Sequence, residues 1–241
     1  MENLDKMNSA LLELCEKYSV AARGTIAEEN GDLTLTCSCG KKTMLLPWRV
    51  ERRFFELKNM LNNGTLEDLS TLRFCTVRHG GCLKKQLAKE MDLAVFFTGI
   101  SIKSVFAVCG AEKGSAANVI AKLANDLNVS IECSTKLPAG AQAIDRHELI
   151  ASRGVASDQV VDTQVPQSSV YVYTDKGEER YTDTDTELFG FSYDEIWTIR
   201  AAFAALSNTK LFEEWNAAAD FMKRCADAAI ASDEQKKVIY L

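Results

Sequence analysis

Between residues 71 and 134 the hydrophobic period of this chain switches repeatedly between two and about 3.6, and that alternation restricts the fold more than any other feature. Residues 71–77 read as a strand and 82–91 as a helix. Residues 93–99 and 104–109 read as a strand pair. Residues 112–127 read as a second helix, with Ala116, Val119, Ile120, Leu123 and Leu127 turned inward, and VSIECS at 129–134 closes the pattern as a strand. The order β-α-β-β-α-β predicts an α+β fold with a split, ferredoxin-like core: an antiparallel sheet with both helices on one face. Such a core hosts many unrelated activities, so function has to be argued from sites.

The flanks add a helix and a β-meander before the core and an αα-hairpin after it. Leu4, Met7, Leu11, Leu14 and Tyr18 form a helical stripe. In residues 24–46, the Asn30-Gly31 turn joins short β-prone runs that place Leu33, Leu35, Cys37 and Cys39 on one face. WRVERRFFELKNMLN at 48–62 reads as a helix stopped by Asn63-Gly64. A stretch rich in Gly, Ala, Ser and Gln leads to a strand, SVYVYT at 169–174, with a returning partner at 179–182. Ser192 and Glu195 form a capping box ahead of a helix carrying Ile196, Ile199, Phe203 and Leu206. The last helix carries Leu211, Trp215, Ala218, Met222, Cys225 and Ala229, and the two are expected to pair. This divides the chain into residues 1–64, the core at 65–137, a linker at 138–168 and a C-terminal part at 169–241.

With 241 residues and 46% hydrophobic content, the chain can bury a sizeable core. A net charge of -6 without a basic half argues against a broad grip on nucleic acid or an anionic membrane. MENLDKMNSALLELC lacks the basic and apolar regions of a secretory signal. The most apolar window, residues 93–110, is interrupted by Thr98, Ser101, Lys103 and Ser104, which fits buried strands better than a membrane span. These features, with eight cysteines, predict a cytoplasmic protein with free thiols.

Several motifs carry candidate chemistry. Cys37, Cys39, Cys75, His79 and Cys82 lie in two glycine turns, TCSCGKK and CTVRHGGC, and are candidate zinc ligands, although C-x-C and C-x6-C differ from the usual knuckle spacing. RFCTVRHGG also resembles the strand and Arg-His-Gly element of the histidine phosphatases. That resemblance covers about ten residues and implies His79 as phosphoryl acceptor and Arg78 as phosphate ligand. The family's pocket needs a second histidine, and His147, the other histidine here, lies in IDRHELI without that context. The acidic run TDTDTE at 182–187 alternates as calcium loops do but lacks their glycine and terminal glutamate offsets. VCGAEKGSAANVI at 108–120 lacks the Walker spacing and reads as a plain turn. Arg49, Arg52 and Arg53 beside Trp48, Phe54 and Phe55 form a candidate nucleic-acid patch.

No catalytic set of side chains is complete in this reading. The expectation is a non-enzymatic binding or adaptor protein with a protein partner, needing no cofactor unless zinc binds. A homodimer through the alanine-rich last helix (Ala217, Ala218, Ala219, Ala226, Ala228 and Ala229) is expected. The alternatives are a phosphate-handling hydrolase centred on His79 and a zinc-stabilised nucleic-acid binder.

Overall fold

A computed structural model of the chain describes residues 2–110, 112, 114–152, 154–158, 169–174, 177–182, 185 and 187–241. The elements in order are α1 (Glu2–Lys17), β1 (Gly24–Glu29), β2 (Asp32–Cys37), β3 (Lys42–Met44), α2 (Arg52–Asn62), β4 (Leu69–Val77), α3 (Leu83–Thr98), β5 (Ile102–Cys109), β6 (Ala116–Leu123), β7 (Asn128–Ser134), β8 (Ile144–Ala151), β9 (Gly154–Ser157), β10 (Ser169–Thr174), β11 (Gly177–Thr182), α4 (Tyr193–Ser207), α5 (Leu211–Gln235) and β12 (Ile239–Tyr240). They form two compact units, one of residues 1–53 and 161–217 and one of 54–160 and 218–241.

The first unit contains the expected meander, β1-β2-β3, fully antiparallel. Asn30 and Gly31 both take positive φ (52° and 75°), the geometry of a two-residue hairpin turn whose twist suits the strands. α4 packs on α1 and against β1 and β2. At Gly24 a side chain has no room: a Cβ there would lie 2.9 Å from the Thr36 carbonyl oxygen and 3.1 Å from Leu206. The sheet's two edges are closed by amide side chains. Asn8 of α1 accepts from the Ile26 amide at 2.7 Å and donates to its carbonyl at 3.0 Å. Asn216 of α5 accepts from the Met44 amide at 3.2 Å and donates to the Lys42 carbonyl at 2.8 Å. Each asparagine thus offers an edge strand one donor and one acceptor, as a further strand would. β10 and β11 pair as the expected hairpin.

The second unit is a mixed seven-stranded sheet in the order β12-β5-β6-β7-β4-β8-β9. Among the described residues β4 and β7 are its one parallel pair, and all other neighbours run antiparallel. α3 packs on β7, β4 and β6, and its face of Leu87, Met91, Ala94 and Phe97 is buried.

This architecture replaces the predicted ferredoxin-like core. Residues 93–98 are not a strand; they continue α3, which ends where Gly99 takes a left-handed conformation (φ 69°) and donates its amide to the Val95 carbonyl at 2.7 Å. The expected second helix is strand β6. Ala117, Val119, Ala121 and Leu123 alternate inward along it, a period of two hidden by alanines that also suit a helix. The stretch read as a linker holds β8 and β9. The predicted αα-hairpin is also absent: α4 packs on α1 and the small sheet, while α5 closes the β3 edge and, further on, has Cys225, Ala226, Ala228 and Ala229 buried.

Candidate functional site

The β4–β8 register sets Phe74 opposite His147 and Thr76 opposite Asp145. Strand periodicity therefore carries Phe74, Thr76, Asp145 and His147 to the same face, the one that α3 covers. α3 contributes Lys89 and Glu90, and Asp158 follows β9. A fully buried imidazole lies at the centre. His147 Nδ1 is 2.7 Å from Asp158 Oδ2, and Nε2 is 2.7 Å from Glu90 Oε2. Asp158 Oδ1 also accepts from the His147 amide at 2.7 Å. Thr76 Oγ1 donates to Glu90 at 2.9 Å and to Asp145 at 3.2 Å. Phe54 meets the imidazole edge-on at 4.8 Å and Phe74 packs against it at 5.0 Å.

Burial alone would push the His147 pKa down, but the charge of Glu90 and the hydrogen bonds to Asp158 and Glu90 outweigh it and raise it to about 9. The imidazole is therefore a cation at neutral pH with both nitrogens engaged, and it is neither a free base nor a free ligand. Burial would raise the Glu90 carboxyl; the charges of His147 and Lys89 hold it below its ordinary value instead. Among the described residues, the carboxylates Glu90, Asp145 and Asp158 meet the cations His147, Lys89 and Arg78.

Its polar edge is formed by Lys89, Asp145 and Arg78. Lys89 Nζ lies 3.4 Å from both Asp145 oxygens and 3.6 Å from Glu90, and its side chain is 14% exposed. Arg78 donates to Asp145 at 3.2 Å. Glu90, Asp145 and His147 offer ligand atoms within 4.8 Å of one another, the one such set of three among the described residues. The Lys89 ammonium already rests on two of those carboxylates, so the protein supplies the cation that a metal would otherwise provide.

The structure distributes the sequence-derived candidates as follows. Cys37, buried, and Cys39, exposed, sit at the β2–β3 turn of the first unit. In the second unit Cys75 is half-buried on β4 and Cys82 is the exposed N-cap of α3. His79 Nδ1 lies 2.8 Å from the Leu137 carbonyl oxygen. None of these five belongs to the set of three described above. Arg52 and Arg53 open α2, and Arg53 pairs with Glu51, which the Tyr193 hydroxyl also reaches; Arg49 ends a short 3-10 turn, Pro47–Arg49. In the acidic run, Asp185 and Glu187 both bind Arg200 of α4, at 2.7 Å. Residues 108 and 109 end strand β5, 110, 112, 114 and 115 lie in the β5–β6 connection and 116–120 belong to strand β6, so the described residues hold no helix after the turn. A shallow groove lined by Asn3, Lys6, Glu13, Phe189, Phe191 and Glu195 lies wholly in the first unit and shares no residue with the charged cluster.

Lys89, Glu90, Asp145 and Asp158 carry no motif in the sequence, and His147 enters there only as a second histidine without a phosphatase context. The available signal was IDRHELI itself: a strand period of two puts Asp145, His147 and Leu149 on one face, an acid and an imidazole beside a core leucine.

No family profile and no curated protein matches the sequence. Solved structures of dehydrogenases share the fold. A myo-inositol 2-dehydrogenase from Lactobacillus plantarum superposes with a TM-score of 0.59 at 13% identity, covering 81% of this chain and 63% of that one. A myo-inositol dehydrogenase from Corynebacterium glutamicum gives 0.57 at 17% identity, over 81% and 63%. A scyllo-inositol dehydrogenase from Lactobacillus casei, with bound NAD(H) and scyllo-inositol, gives 0.57 at 14%, over 81% and 63%. At these identities the likeness is one of fold, and the chain spans less than two thirds of the length of these neighbours. The shared fold, with its seven-stranded mixed sheet, overturns the expected ferredoxin-like fold, and the dehydrogenases that share it speak against the reading as a non-enzymatic adaptor. The hydrolase centred on His79 and the zinc-stabilised nucleic-acid binder fall with the same finding.

The cofactor carried by that neighbour does not fit the residues described here. A dinucleotide site of the doubly wound type needs parallel strands and a G-x-G-x-x-G turn. The thirteen glycines nowhere fall in that spacing, and the sheet has a single parallel pair among the described residues.

Proposed function

We propose that this chain is the substrate-side portion of a dehydrogenase-type oxidoreductase acting on a small polyhydroxylated substrate. The observation that carries the reading is the fold shared with inositol dehydrogenases over 81% of the chain. The charged cluster supports it. Lys89 stands at the polar edge of a buried charged network, fixed by two carboxylates and backed by the Phe54 ring at 5.3 Å. An ammonium held there donates hydrogen bonds to a substrate hydroxyl and stabilises negative charge developing on its oxygen. Asp145 and the Glu90–His147–Asp158 chain act as positioning residues that fix the lysine. The hydride acceptor comes from outside the elements described here. No helix among the described residues is long and apolar enough to cross a membrane. Eight free cysteines support a cytoplasmic setting.

Titration calorimetry of the full chain with a panel of inositols and other polyols tests this reading. Binding is expected, weakened about tenfold or more in Lys89→Met, since one charged hydrogen bond contributes about 1.5–3 kcal/mol, and largely kept in Lys89→Arg. A folded wild-type chain that binds none of the polyols overturns it.

A further inference from the structure

Two sulfurs in the β2–β3 turn are placed for chemistry that the charged cluster does not use. The turn is closed by the Gly40 amide donating to the Cys37 carbonyl at 2.8 Å and the Cys37 amide donating to the Lys41 carbonyl at 2.8 Å. Gly40 takes φ +83°, with nothing within 4 Å of where a side chain would stand. The turn leaves Cys39 exposed while Cys37, at the strand end, is buried. The Cys39 amide donates to the Cys37 sulfur at 3.5 Å. The Cys37 sulfur also lies 4.0 Å from the Ser38 hydroxyl. One sulfur is thus reachable from solvent and its partner is withdrawn, one residue intervenes between them, and the backbone amide of the exposed cysteine is hydrogen-bonded to the buried sulfur.

We propose that Cys37 and Cys39 form a redox-active dithiol, with Cys39 as the attacking sulfur and Cys37 as the resolving one. Its co-reactant is a low-molecular-weight disulfide. The Cys39 thiolate attacks one sulfur of that disulfide; a mixed disulfide forms and one small thiolate leaves, taking up the proton that Cys39 gave up. The Cys37 sulfur, losing its proton, then attacks the Cys39 sulfur, so that the Cys37–Cys39 bond forms and the second small thiol departs. Two protein thiols are oxidised and one small disulfide is reduced to two thiols, which balances. A disulfide needs its Cα atoms about 4.4–6.8 Å apart, a range that positions i and i+2 reach in a turn. The remaining thiols give a contrast. Cys15, Cys133 and Cys225 are buried and Cys75 and Cys109 half-buried, so Cys39 and Cys82 are the two exposed thiols, and of these Cys39 has a second cysteine one residue removed.

The test treats the reduced full-length chain with oxidised glutathione and weighs the tryptic segment 24–41, which holds both cysteines. The expected product lacks two hydrogens and regains them on reduction. Cys37→Ser should halt at a stable glutathione adduct on Cys39, and Cys39→Ser, a surface change that leaves the core intact, should leave the segment unmodified. A wild-type chain that stops at the adduct overturns the proposal. So does a segment that stays unmodified while the exposed Cys82 reacts, or a zinc ion that copurifies and is lost in Cys37→Ser.

Discussion

At the scale of single residues, the heaviest burden rests on His147. Its ring is fully enclosed, so its charge is tolerated only because Glu90 and Asp158 stand 2.7 Å away on either side. His147→Ala would leave two carboxylates facing each other without their cation. The expected loss is about 3–5 kcal/mol, read from urea unfolding monitored by circular dichroism. The pH dependence follows from the signs of the two shifts. The folded His147 pKa, raised to about 9, means that its contribution is whole below the unfolded value of about 6.5 and is lost as pH rises through about 9. Glu90, held low, contributes above its usual value of 4.5 and loses that contribution as pH falls through its depressed pKa. Stability should therefore decline on the alkaline side between about pH 6.5 and 9, and this decline should be missing in His147→Gln. An identical alkaline decline in both proteins would show that the imidazole is neutral. In the sequence His147 looked like an isolated histidine, because its partners come from α3 and from beyond β9, 57 and 11 residues away.

At the scale of elements, the meander was legible and the core was not, for a physical reason. The Asn30-Gly31 turn is a local signal that the structure keeps; of the β2 alternation it keeps Leu35 and Cys37 buried, while Thr34 is buried too and Cys39 lies exposed beyond the strand. The Ser192–Glu195 box is equally local: Glu195 accepts from the Ser192 amide and hydroxyl, both at 2.7 Å. The run LAVFFT is apolar on every side, so periodicity could not separate a strand from the end of a buried helix. Only the left-handed Gly99 marks where α3 stops. The asparagine clamps on the small sheet could not be read at all, because each bridges elements distant in sequence. They make a sharp expectation. Asn8→Leu keeps the bulk of the side chain but leaves the Ile26 amide and carbonyl without partners, which should cost about 1–3 kcal/mol. Thermal unfolding should register it, and Asn8→Asp, which still accepts from the amide, should lose less. Equal losses in the two variants would mean that the hydrogen bond to the amide contributes nothing.

At the scale of the whole chain, each compact unit is assembled from two separate stretches, and the second unit is completed only by residues 218–241. The end of the chain returns to lie along β5: Ile239 pairs with Val105 and Tyr240 with Ser104, and the Leu241 amide donates to the Lys103 carbonyl at 3.0 Å. Beyond those pairs the β5 edge is covered by α5. Ser232 Oγ accepts from the Ala107 amide at 3.1 Å and Asp233 from the Cys109 amide at 3.0 Å. Strand and helix end together satisfy an edge that also exposes Phe106 and Val108, so removing the strand should create an open, apolar edge that pairs with other chains. A chain lacking residues 238–241 is therefore expected to melt lower and to form higher-order species in light scattering. Tyr240→Ala separates the backbone from the side chain. The tyrosine is 77% exposed, so this variant keeps the pairing and should behave as the wild type. If Tyr240→Ala aggregates as readily as the truncated chain, the aromatic side chain rather than the strand protects the edge. If neither changes, β12 contributes nothing to closing the sheet.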